Sequence, residues 1–306
     1  MTRVPRSYSR AFAIAFLVVA TKISASAAPL EPSEKDVSYG PHAHQTIDVY
    51  LPTTGTGPYP VVVWFGGIWQ PKKNAARPPY FLEREIAVVA VQTRTMNDAV
   101  ADKVDVPVSY VLDDACRVVQ FLRANATKWK LDPERIGVGG GSQGALPALY
   151  VGCSTDRADA NASDPVARAS SRVTCVAAYR CQPTIDPRRM QEWVAGVKWG
   201  APALGMSFDE SLKRRDDLQP TIAKWSPDWL LHKGAAPMYF ENEWGLIKPA
   251  DITQPNYDTH CPAWAIGFKK LADAAGATCY VKYPEHPTEG YADIWDFLVK
   301  ELKKPK

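Results

Sequence analysis

One stretch constrains this chain more than any other: Arg135-Ile136-Gly137-Val138-Gly139-Gly140-Gly141-Ser142-Gln143-Gly144-Ala145. An apolar strand runs into a glycine cluster, one serine stands between glycines, and a helix-forming run with Leu146, Ala148, Leu149 and Tyr150 follows. Gly140, Ser142 and Gly144 make Gly-x-Ser-x-Gly. The chain must reverse so sharply from strand to helix that side chains at the flanking positions would clash, which leaves the Ser142 hydroxyl exposed at the tip of the turn. The pattern predicts a nucleophile elbow, as against a glycine-rich turn without chemistry.

Around that elbow the chain alternates strands with helices. Val37 and Tyr39, then residues 47–52 after a turn at Gly40-Pro41, read as an edge strand and a second strand ending at proline. Residues 61–65 are continuously apolar, as in a strand covered on both faces, and stop at Gly66-Gly67. A short apolar strand over 86–91 is followed by a helical period at Val111, Ala115, Val118, Val119 and Leu122, with a turn at 131–134 leading to the central strand. Strands at 173–179, 237–240 and 279–283, a helix over 262–275 and a closing helix over 294–302 complete the pattern. Residues 182–234 break the alternation with several prolines and four tryptophans (Trp193, Trp199, Trp225, Trp229), and are expected to form a cap-like insertion over the carboxyl edge of the sheet.

The amino terminus reads separately. Arg3, Arg6 and Arg10 precede an apolar run over 11–20, and Ala25-Ser26-Ala27 offers a small-residue cleavage site. Residues 1–27 are therefore expected to be a signal peptide and 28–306 the functional domain, secreted or periplasmic; the apolar run is too short for the roughly 20 residues of a membrane span. Removing Arg3, Arg6, Arg10 and Lys22, with no acidic residue, takes the formal charge from +3 to −1. That leaves no basic excess for nucleic acid or an anionic surface. The six cysteines of an exported chain could form up to three disulfides, Cys116 reads as a buried thiol, and none has the paired spacing of a zinc site. No metal and no cofactor is called for.

A serine hydroxyl needs a histidine to take its proton, and the histidine needs a carboxylate to fix its tautomer. After an elbow of this kind the order is serine, acid, histidine. Three histidines follow Ser142. His286 lies just after the last strand, where a loop can drop it onto the serine, so it is the expected base; His232 and His260 are expected to be structural or surface residues. The acid should lie between the strand at 237–240 and the helix starting near Pro262, which offers Glu241, Glu243, Asp251 and Asp258, with Asp258 favoured. Backbone donors for the developing oxyanion are expected from the Gln143 amide and from Gly67 and Ile68 in the glycine loop after 61–65.

Asp48-Val49-Tyr50-Leu51-Pro52, Phe65-Gly66-Gly67-Ile68-Trp69, Leu131-Asp132-Pro133-Glu134-Arg135-Ile136 and the Gly-x-Ser-x-Gly together resemble the α/β-hydrolase esterases of the hormone-sensitive-lipase and bacterial feruloyl/acetyl esterase kind. The likeness covers nearly all of 28–306 except 182–234 and 242–256. It implies a mostly parallel eight-stranded sheet with helices on both faces, and acyl transfer through an acyl-enzyme. Two positions depart, because that group usually reads His-Gly-Gly-Gly-Trp where this chain has Phe65-Gly66-Gly67-Ile68-Trp69, and the isoleucine is expected to add bulk beside the oxyanion. The expectation is a secreted serine hydrolase of carboxylic esters, with Trp69 and Trp244 among the indoles that could meet a sugar or phenolic ester. The same fold also hosts serine peptidases and catalytically silent binding proteins.

Overall fold

The computed structural model describes residues 30–197, 201–288 and 290–305. The expected signal peptide and Trp199 lie outside the described residues. Residues 31–306 form one compact unit, built on an eight-stranded sheet in the order β1-β2-β4-β3-β5-β6-β7-β8.

The first two strands, β1 (Glu34–Ser38) and β2 (Thr46–Tyr50), are antiparallel to each other, and β2 is antiparallel to β4. From β3 (Tyr59–Phe65) and β4 (Ala87–Gln92) onward every pairing is parallel. All residues of β3 and β4 are buried. Their alternation splits the core. Val61, Val63 and Phe65 face the larger apolar cluster, which contains Val111, Leu122, Leu149 and Phe268, while Val62 and Trp64 face a second cluster with Phe81, Tyr239, Phe297 and Leu302.

Between β3 and β4 lies the short helix α1 (Pro78–Leu82). After β4 come α2 (Met96–Ala101), opened by a Thr95/Asp98 capping box, and the long helix α3 (Val108–Ala124). Strand β5 (Leu131–Gly141) begins earlier than its apolar run predicts. The segment read as a turn joins the strand across a register shift, with Tyr59 opposite Leu131 but Val61 opposite Ile136. Helix α4 (Ala145–Cys153) is buried on every side, as a helix apolar all round must be. Strand β6 (Cys175–Tyr179) follows.

Segment 182–234 carries α5 (Pro187–Trp193), α6 (Phe208–Lys213) and α7 (Gln219–Trp225). It has an internal tie. Asp186 caps α5 by accepting from the Arg188 amide at 3.0 Å, pairs with Arg215 at 2.6 Å and accepts from Trp229 Nε1 at 3.2 Å. Asp186 is completely buried, and Arg215 is the cation that makes this possible. Ile222 and Trp225 join the main core, with Trp225 stacked on Tyr150, and Trp193 meets Trp264 edge-on. These indoles are packing residues.

Strand β7 (Met238–Glu241), helix α8 (Gln254–His260), helix α9 (Ala263–Ala274), strand β8 (Cys279–Lys282) and helix α10 (Ile294–Leu302) complete the unit. All six cysteines are free and buried, so the disulfides that export would allow are not formed. Burial pushes the Cys116 and Cys279 thiols up to about 12. No helix among the described residues is long and apolar enough to cross a membrane.

Candidate active site

The elbow forms where the sequence places it. Ser142 takes φ 51°, a left-handed backbone that costs a side-chain-bearing residue roughly 1–3 kcal/mol and is characteristic of functional turns. The flanking glycines are obligatory. A Cβ on Gly140 would sit 2.1 Å from the Gly144 carbonyl oxygen, and one on Gly144 would sit 2.4 Å from the Phe65 carbonyl oxygen. Both contacts are with backbone, which cannot give way.

The residue that meets Ser142 is His260. Its Nε2 lies 2.8 Å from Ser142 Oγ. On the other side of the ring, Nδ1 faces the Asn256 carbonyl oxygen at 3.1 Å and Asn256 Oδ1 at 2.9 Å. A backbone carbonyl can only accept, so Nδ1 carries the proton and the Nε2 lone pair is turned toward the serine. Burial lowers the His260 pKa below the usual histidine value; the Asn256 hydrogen bond opposes this, and the charge of Arg180 adds to the lowering. Burial and the Arg180 charge thus favour the neutral imidazole.

Helix α8 is short and polar, and its carboxyl end is fixed from outside. Trp264 Nε1 donates to the Asp258 carbonyl at 2.8 Å, Gln182 Nε2 to the Thr259 carbonyl at 2.6 Å and Asn242 Nδ2 to the His260 carbonyl at 2.5 Å. Three otherwise orphaned carbonyls are satisfied by side chains from three parts of the chain, which locks the histidine in place. Trp244 packs edge-on against the His260 ring.

The structure does not bring His286 to Ser142. That residue is exposed, its Nδ1 lies 3.1 Å from the Val281 carbonyl oxygen, and its ring stacks on Tyr283. A two-way backbone pairing between Tyr283 and His286 folds the loop onto its own strand, so it does not project toward the elbow. Nor does Asp258 reach either histidine. Its Oδ1 accepts from Gln254 Nε2 at 2.7 Å along one face of α8. Glu241 holds Lys282 and the amide of Ile294, Glu243 pairs with Arg180 and accepts from the Tyr179 hydroxyl, and Asp251 is exposed ahead of α8. The group that orients the imidazole is an amide, Asn256. Sequence reasoning missed His260 because residues 254–260 carry no apolar period; the available signal was Asn256 four residues before a histidine, in a helix opened by Pro255 and closed before Pro262.

The glycine loop after β3 also differs in detail. The Gly67 amide donates to the Lys72 carbonyl at 3.0 Å and so closes its own loop. The Ile68 and Trp69 amides converge instead on Gln143 Oε1, at 2.9 and 3.3 Å. Ile68 is buried in the main core, and its carbonyl accepts from the Met96 amide at 2.8 Å. Beside these groups lies a narrow, mainly apolar pocket walled by Ile68, Trp69, Met96, Leu146, Ile185 and Met190. Trp69 is half-buried there, whereas Trp244 is buried between His260 and the Arg180 guanidinium.

Among the described residues, one group has the composition of a metal site: His42, His44 and Asp98. Its bonds are already those of a turn and a cap. Asp98 Oδ2 accepts from the Thr95 amide and hydroxyl and lies 2.8 Å from His44 Nδ1, and His42 Nδ1 accepts from the His44 amide.

A mostly parallel eight-stranded sheet with a strained serine between its fifth strand and the following helix defines an α/β-hydrolase. Residues 47–219 match the BD-FAE family model, and the chain belongs to that family, a hormone-sensitive-lipase-like family of esterases. Solved structures share the fold. A truncated carbohydrate esterase from gut microbiota is similar at TM-score 0.64 and 18% identity, over 90% of this chain and 100% of that one. A bifunctional GH43-CE protein of Bacteroides eggerthii gives 0.61 and 22%, over 88% of this chain and 38% of that one. An acetyl ester-xyloside bifunctional hydrolase from Caldicellulosiruptor lactoaceticus gives 0.58 and 16%, over 85% and 89%. Among curated proteins none matches the chain.

Proposed function

We propose that this protein hydrolyses carboxylic esters through an acyl-enzyme, with Ser142 as nucleophile and His260 as general base. The observation that carries the reading is the 2.8 Å contact between Ser142 Oγ and an imidazole whose other nitrogen is committed to Asn256. Ser142 attacks the ester carbonyl while Nε2 accepts its proton. Asn256 then faces the imidazolium with two carbonyl oxygens, stabilising it by dipoles and not by a full negative charge. Collapse of the tetrahedral intermediate expels the alcohol, which takes the proton back from Nε2, and water repeats the sequence to release the acid. The oxyanion is met by the Ile68 and Trp69 amides and the amide of Gln143.

The pocket beside Gln143 is narrow and mainly apolar, which favours a short acyl group over a long one. A carbohydrate alcohol is the favoured leaving group, since the similar structures include a carbohydrate esterase and an acetyl ester-xyloside bifunctional hydrolase. Export follows from the basic-apolar-small pattern of residues 1–27. The deciding experiment is labelling by a fluorophosphonate probe together with hydrolysis of acetyl and longer-chain esters by wild type and Ser142→Ala. Labelling at Ser142 with turnover that disappears in the variant supports the reading, and an unlabelled serine rejects it.

A further inference from the structure

Two backbone amides converging on one oxygen are the geometry of an oxyanion site, and here the chain supplies the oxygen itself. Gln143 Oε1 accepts from Ile68 N–H and Trp69 N–H. Gln143 directly follows the nucleophile, so its side chain reaches from the elbow across to the loop after β3. We infer that the Gln143 side chain is the resident occupant of the oxyanion site in the free enzyme, and that a substrate carbonyl binds by displacing it. This rests on the reading of Ser142 as nucleophile.

The arrangement has a physical logic. Unoccupied donors pointing into a partly apolar pocket carry a desolvation cost, and the glutamine carbonyl removes it while holding the loop in its working shape. The occupant then competes with substrate unequally. An ester carbonyl is a weaker acceptor than an amide carbonyl, so the ground-state substrate gains little from taking its place. A tetrahedral oxyanion carries a full charge and is a much stronger acceptor, so it displaces the amide readily. Because bound substrate and transition state both displace Gln143, its cost is common to the two and shows as weaker substrate binding with the chemical step nearly unaffected.

The test compares wild type with Gln143→Met, which keeps the length of the side chain without its carbonyl, and Gln143→Ala. Both variants should label with the fluorophosphonate faster than wild type and show a KM for a short acyl ester lower by roughly threefold or more, with kcat nearly unchanged. Amide hydrogen exchange at Ile68 and Trp69 should speed up in the free variants and match wild type after phosphonylation. Should the variants instead lose kcat at constant KM, Gln143 positions the loop and is not displaced, and the inference is overturned while the nucleophile stands. Equal labelling rates overturn it in the same way. Failure of Ser142 to label in any form removes the nucleophile, and the inference falls with it.

Discussion

The Arg180 guanidinium lies 4.1 Å from the centre of the Trp244 indole, and that indole meets the His260 ring edge-on. A positive charge is thereby held one ring away from the proposed base, on a residue whose own backbone has φ 46° and whose Nε is buried without a partner. The strained residue sits at the end of β6, where its pairing with Glu243 also fixes the loop after β7.

The first prediction concerns pH. His260 acts as a base only when neutral, and its pKa is lowered mainly by burial and further by Arg180. The acid limb of kcat/KM should therefore fall below the ordinary histidine value of about 6.5, with activity present above the limb and lost as pH drops through it. Arg180→Gln removes the smaller contribution and should move the limb upward. A limb that stays put in this variant would show that the charge does not reach the imidazole.

The second prediction separates the histidines. His260→Ala should reduce kcat by about a thousandfold or more, whereas His286→Ala should alter it by less than about threefold. Steady-state kinetics on a short acyl ester decides between them, with thermal unfolding as a check that both variants fold. Comparable losses in the two would mean that the loop after β8 reaches the serine during turnover.

A third prediction concerns the orienting amide. Asn256→Ala leaves the backbone carbonyl on Nδ1 and should cost about tenfold in kcat, while Asp258→Asn should cost little. Asn256→Asp should raise the His260 pKa, because a carboxylate favours the imidazolium, and should shift the acid limb of the profile upward. An unshifted limb in Asn256→Asp would remove residue 256 from the machinery.

Much of this was legible in the sequence, and the reason is local. The buried strands β3 and β4, the elbow and the closing helix α10 each carry their own signal, as a continuous apolar run, a glycine spacing or a helical period. The eight-stranded sheet follows from adding such elements in order. The histidine had no such signal. Its choice depended on the chain order usual for this kind of elbow, whereas the position of His260 is decided by side chains outside its helix, Gln182, Asn242 and Trp264, the first of them 77 residues from its partner. Likewise, nothing local marks Gln143 as a partner for the Ile68 and Trp69 amides, since the contact spans 75 residues.

A fourth prediction addresses segment 182–234. Asp186 and Arg215 are both buried and hold α5, the end of α6 and the turn at Trp229 together. Asp186→Ala leaves the buried guanidinium with only the exposed Asp216 carboxylate, at 3.6 Å, as counter-charge and should destabilise the fold by about 3 kcal/mol. Denaturant unfolding would measure this; a loss below about 1 kcal/mol would mean that the segment is held by its apolar contacts alone.

The six cysteines set how the molecule can be handled. Each thiol is enclosed, and burial suppresses its ionisation, so none offers a ready thiolate to maleimides, iodoacetamide or mixed disulfides. The native protein should behave identically with and without reductant. A single cysteine introduced at exposed Asp251 would be its one fast-reacting thiol, giving an attachment point for a dye or a surface just ahead of the helix that carries His260.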